Sequence, residues 1–252
     1  MENPNLTSLP IPNLPVFFPM FLFLYTIAYF VVFRNWDSKV RHEASSCFIS
    51  FFHGTPAVFL ASFSLFSSDY QNPNFASPNT PLQNLTLEFS ISYFLTDLVH
   101  YLIFNPTDVL FIGHHLATLF VFITCRFLVL HGAFALLVLL ILAEVTSLCQ
   151  NTWTLASARR KDVVIAKKLY DFLSPPFYAF YSVVRGFLAP LFVYQMGVFY
   201  LSGKVDIVIP KWVWLSWMVV VCAAISVSIL WISNLWIELY RERTSHKDKK
   251  VR

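Results

Sequence analysis

Long apolar runs separated by short polar breaks set the pattern of this chain. About 20 mostly apolar residues cross a bilayer as a helix. Seven such segments are predicted, at 14–33, 44–66, 87–104, 109–130, 132–150, 172–200 and 212–237. The weakest division lies between the fourth and fifth, where only Arg126, His131 and Gly132 interrupt the run. The sixth is long and interrupted by proline, and the Asn/Pro/Ser-rich stretch 67–85 reads as a loop. The fold class predicted is an all-α polytopic transmembrane bundle of about seven spans. Its parts are a terminal segment 1–13, a transmembrane domain over 14–240 and a basic tail 241–252.

Composition agrees. Of 252 residues, 57% are hydrophobic, 18% aromatic and only 13% charged, and Phe alone occurs 27 times. Soluble domains carry roughly a quarter charged residues, so the bilayer is the main solvent for this chain, and no nucleic-acid partner is expected. The four cysteines lie in or beside apolar runs with no CxxC pair. They read as small packing groups rather than a metal or disulfide framework. The first apolar run has no basic segment before it and reads as a retained span rather than a cleaved signal.

Charge adds a direction. With the C-terminal tail in the cytosol, alternation puts fourteen of the eighteen basic residues on the cytosolic face: Arg34, Lys39 and Arg41; Arg159, Arg160, Lys161, Lys167 and Lys168; and six in the tail from Arg241 onward. The positive-inside rule then gives a lumenal N-terminus and a cytosolic C-terminus. Two acceptor tripeptides, Asn5-Leu6-Thr7 and Asn84-Leu85-Thr86, fall on the lumenal side. Lys249 and Lys250 match the placement of a dilysine retrieval signal, which points to the endoplasmic-reticulum membrane. The Trp residues that bracket the seventh run (Trp212, Trp214, Trp217, Trp231 and Trp236) are expected to form an interfacial belt.

Ionisable groups inside membrane spans are costly and call for a reason. Counted at 1.5 Å per residue, His53, Asp97, His100, His114, His115 and Glu144 all lie roughly 6–13 Å from the cytosolic ends of four different spans. Asp97 and His100 share a helix face, as do His115 and Thr118, while Glu144, Ser147 and Asn151 form a stripe. Arg185, deeper in the sixth span, is the expected counter-charge for Glu144 or Asp97. This matched layer predicts a cavity open to the cytosol, fit for proton transfer; no metal-binding spacing is present. His114, His115 and Asp97 are the candidate catalytic residues. His53, His100, Thr118, Glu144, Ser147 and Arg185 are the candidate lining residues.

These residues resemble the TLC-domain family of endoplasmic-reticulum lipid proteins, which includes ceramide synthases and the translocating-chain-associating protein. An Asp-bearing helix is followed by His114-His115-Leu116-Ala117-Thr118; Trp36, Arg41, His53, Glu144 with Ser147, and Arg185 extend the likeness over about residues 30–240. The chain looks most similar to small plant members. The resemblance implies a role in membrane lipid homeostasis. It also implies a ceramide-synthase-like N-acyl transfer with acyl-CoA as co-substrate and no permanently bound cofactor, His114 or His115 acting as base. The synthases carry a His-Asp pair further on, where this chain has Ile141-Leu142 and only Glu144 nearby. Lipid binding or regulation without turnover, and cargo handling or trafficking, therefore stand beside the enzyme reading. Membrane lipids are the expected partners, with homo- or hetero-oligomers open.

Overall fold

The computed structural model describes residues 12–67 and 73–251, with side chains through Arg241 and at Thr244. Seven of its helices are long and apolar enough to cross a membrane: Leu14–Val32, Ser38–Phe66, Pro81–Phe104, Val109–Val129, Ala133–Arg159, Val164–Leu201 and Lys211–Arg241. Among the described residues no strand forms, only an isolated bridge between Pro78 and His131.

Several spans begin earlier or run further than hydropathy alone predicts, because polar caps let helix continue past the apolar run. Asp37 caps the second span by accepting from the Lys39 N–H at 2.8 Å. Thr80 and Gln83 form a reciprocal capping box that starts the third span at Pro81. Asn84 is consequently helical and buried rather than in a loop. A buried helical amide is not presented to a glycan-transferring enzyme, so Asn84 is not an acceptor in the folded bundle. Asn5 lies outside the described residues, as do the side chains of Lys249 and Lys250.

The fifth span breaks after Glu144 and resumes as Ser147–Arg159. Three spans contain π-helical turns, at Ala28–Val32, Thr124–Val129 and Val184–Leu188. The last precedes Pro190, which has no N–H for the Gly186 carbonyl and so breaks the α ladder there.

The third span is the axle, the most buried of the seven, and it packs on the first, second and fourth. The second also packs on both halves of the fifth. The seventh is the most exposed and leans on the fourth and sixth. Its tryptophans depart from the belt expectation. Trp214 and Trp217 are buried, and their indole N–H groups donate to Asp206 at 2.9 Å and to Thr124 Oγ1 at 2.8 Å. Neighbouring segments supply partners that the interface would otherwise have to provide. Trp212 and Trp236 remain exposed.

The two ends of the bundle differ. At one, the Arg159 guanidinium lies 4.9 Å from the Trp36 ring centroid, joining the first two basic-flanked connections in space. At the other, Asn79 clamps the turn between the fourth and fifth spans. Its side chain donates to the Cys125 carbonyl (3.1 Å) and accepts from the Ala133 N–H (2.9 Å). That turn passes through Leu130 at φ 58° and Gly132 at φ 88°. A Cβ on Gly132 would stand 3.0 Å from the Trp217 ring.

Candidate functional site

Asp97 is the hub of the polar layer. It sits on the third span, where the second and fourth converge. Ser46 donates its hydroxyl to one carboxylate oxygen at 2.7 Å, and His115 Nε2 meets the other at 2.9 Å. The second nitrogen of His115, Nδ1, lies 2.8 Å from the Phe111 carbonyl. Both ring nitrogens thus face acceptors. Nδ1 must carry a hydrogen, and a second proton must lie between Nε2 and Asp97. The unit is electrically neutral whichever atom holds that proton, so no unpaired charge is buried. His115 has no free lone pair left in this arrangement.

His53 is fully buried and stacks flat on Tyr93, with ring centroids 4.0 Å apart. Its Nε2 lies 3.1 Å from Ser90 Oγ, and its Nδ1 lies 3.9 Å from Glu144. Ser147 stands beside that carboxyl group, its Cβ 3.1 Å from where a Cβ on Gly54 would be. Gly54 makes room for that carboxyl group, since a Cβ there would come within 2.8 Å of it. His100 Nδ1 pairs with the Tyr25 hydroxyl at 2.8 Å, away from Asp97's partners and near the half-buried His42.

A cavity of about 140 Å³ lies among the fourth, fifth, sixth and seventh spans. Its polar wall is His114, Thr118, Glu144, Arg185 and Ser228; the rest is apolar, including Phe94, Phe122, Leu136 and Val220. His114 is the exposed member of this lining. Arg185 rides on the π-helical turn Val184–Leu188. Its guanidinium donates to the Ala143 carbonyl, at the helix break, and lies over the Tyr181 ring. The expected contact to a carboxylate is replaced by one to backbone. Arg185 Nε is buried without a hydrogen-bond partner among the described residues.

The structure therefore brings four of the nine candidate residues into one cavity: His114, Thr118, Glu144 and Arg185. His115 and Asp97 form the scaffold behind it. His53, His100 and Ser147 lie outside the lining. The seventh span's contribution, ending in Ser228, was not legible because nothing polar marks that run strongly. A second buried pair was missed altogether. Arg126 Nε lies 2.6 Å from Glu88, and Glu88 also accepts from the Asn13 N–H, tying the first, third and fourth spans at the end opposite the polar layer. Counting depth from that end would have matched them. Among the described residues, no three His, Cys, Asp or Glu side chains are grouped to hold a metal ion.

Seven hydrophobic helices, a polar axle and a cavity between spans define a multi-pass membrane protein. The TLC domain family pattern matches residues 43–237. A TLC domain-containing protein of Arabidopsis thaliana is 63% identical over 253 aligned residues, covering 98% of this chain and 99% of that protein. The chain belongs to the TLC-domain family. No solved structure matches it.

Proposed function

We propose that this protein binds a membrane lipid in the cavity and works in lipid homeostasis of the endoplasmic-reticulum membrane, with the basic end of the bundle in the cytosol. The observation that carries the reading is a partly polar cavity inside a hydrophobic bundle: five polar side chains on an otherwise apolar lining. Small-molecule sites are concave, mostly apolar and carry a few convergent polar groups. The test is mass spectrometry of lipid that co-purifies with the full chain, wild type against His114→Ala. The reading expects a defined lipid on the wild type and less of it on the variant. A well-folded protein with no retained lipid would sink it.

One observation favours an enzyme as second reading: His114, of the HHLAT motif, faces the cavity together with Thr118 and Glu144. As an acyl-CoA-dependent N-acyltransferase, His114 would take the proton from a lipid amine as its nitrogen attacks the thioester carbonyl. The C–S bond then breaks, and the proton passes to the departing thiolate. Asp97 and His115 would hold the helix that presents His114. Ile141 and Leu142, in place of the synthases' His-Asp pair, weigh against this reading. Incubation with acyl-CoA and a long-chain base decides it: amide that forms with wild type and not with His114→Ala supports turnover. A cargo or trafficking role rests on the missing His-Asp pair and the dilysine-like tail, and would show as altered client export with unchanged lipid composition.

A further inference from the structure

Four of the helices that line the cavity grade from polar to apolar in the same spatial direction. The fourth runs from His114 and Thr118 to Val121 and Phe122; the fifth, antiparallel to it, runs from Leu136 up to Glu144. The sixth goes from Arg185 to Ala189, and the seventh from Val220 to Ser228. Eight residues of helix separate the ends in three of them, a depth of about 12 Å. A scatter of core polar groups would not share one axis. The gradient fits an amphiphile lying along the bundle, head at the Arg185 level and chain toward the turn at Gly132.

The polar end also specifies the head. Arg185 Nε–H is buried and unpartnered among the described residues, so it lacks an acceptor oxygen. Glu144, on the same wall, is an acceptor. The wall thus carries one formal cation and one formal anion. A carboxylate head would meet Glu144 and an ammonium head would meet Arg185, each leaving a like charge close by in a poorly screened site. A neutral head with both hydroxyl donors and carbonyl or hydroxyl acceptors satisfies both. The volume resembles that of a ~150 Å³ cavity known to admit benzene. It holds a segment of one hydrocarbon chain, not two side by side; a longer chain continues past the exposed seventh span into the bilayer.

We propose that the cavity takes a single-chain lipid with a neutral hydroxyl- and ester-bearing head, of the monoacylglycerol class, read by Arg185 and Glu144. The proposal rests on the lipid-binding reading above and narrows it. The experiment is native mass spectrometry of the full chain in detergent, offered monooleoylglycerol, oleate and oleylamine, which share one chain and differ in head. Monooleoylglycerol should be retained best. Arg185→Gln should lower its retention about tenfold, the scale of one lost charge-assisted hydrogen bond, without lowering that of oleylamine. Ala224→Phe, which fills the cavity from the most exposed span, should abolish retention even if Arg185→Gln folds poorly. Preference for oleate or oleylamine would overturn the head assignment, as would retention that neither variant changes. If none of the three binds while a native lipid still co-purifies, the head assignment alone falls; if nothing co-purifies, the lipid-binding reading falls with it.

Discussion

His114 and His115 are adjacent in sequence and point about 100° apart around the helix, which gives them different work. His115 is locked between Phe111 and Asp97, while His114 looks into the cavity. His115→Ala removes one half of a buried hydrogen-bonded pair and is expected to cost about 3–5 kcal/mol, read as a large fall in thermal stability in detergent. His114→Ala should leave that transition within a few degrees and reduce retained lipid instead. Equal loss of stability in both would contradict the division. Gly54 makes a sharper probe, because a methyl group there strikes the Glu144 carboxyl at 2.8 Å. Gly54→Ala should cost about 1–3 kcal/mol through overpacking. It should also displace Glu144, which a change in bound-lipid profile would report. The sequence announced His114 and Glu144 by depth, Thr118 by helix spacing and Arg185 as a counter-charge, but not which of two neighbouring histidines turned inward. That choice depends on helix phase, and a run apolar on all sides does not display phase.

At the scale of elements, the two intramembrane arginines both ride on π-helical turns, Arg126 in Thr124–Val129 and Arg185 in Val184–Leu188. Such turns insert a residue into the α pattern and recur at functional sites. Seven spans were legible from hydropathy, but not the earlier starts that Asp37 and Thr80 cap. The π turns were not, since only Pro190 signals one of them in the sequence. Pro190→Ala restores a donor for the Gly186 carbonyl. We expect the α ladder to close, Arg185 to rotate, and lipid retention to fall while thermal stability holds or rises. Unchanged retention would mean that the turn does not position Arg185. The Glu88–Arg126 pair permits a cycle: Glu88→Gln alone should cost about 3–5 kcal/mol by stranding Arg126, and adding Arg126→Met should recover most of that loss. Chemical or thermal denaturation of the three variants measures it.

For the whole molecule, the asymmetry of the two ends carries the membrane orientation we propose. The connections with Trp36 and Arg159 meet at one end; the Asn79 clamp and the Trp217–Thr124 contact lie at the other. In sealed microsomes, a cysteine at Lys161 should react with an impermeant maleimide from outside, and one at Lys204 only after the membrane is opened. The reverse pattern would invert the bundle. Arrangement at this scale was legible in the sequence only as alternation of sides. Which spans became axle and which became rim depended on pairings such as Glu88 with Arg126, distant in sequence.

Those pairings also impose an order on the making of the protein. The third span has the lowest hydropathy of the seven, 1.2, yet carries Glu88 and Asp97. Their partners Arg126 and His115 lie in the fourth span, which the ribosome has not yet made when the third reaches the membrane. Until then the third span would face lipid with two unmatched carboxyl groups, an expensive state. It should therefore linger at the translocation machinery and leave only as a hairpin with the fourth. Nascent chains ending near Phe104 should remain crosslinkable to that machinery, and chains extended beyond Val129 should be released.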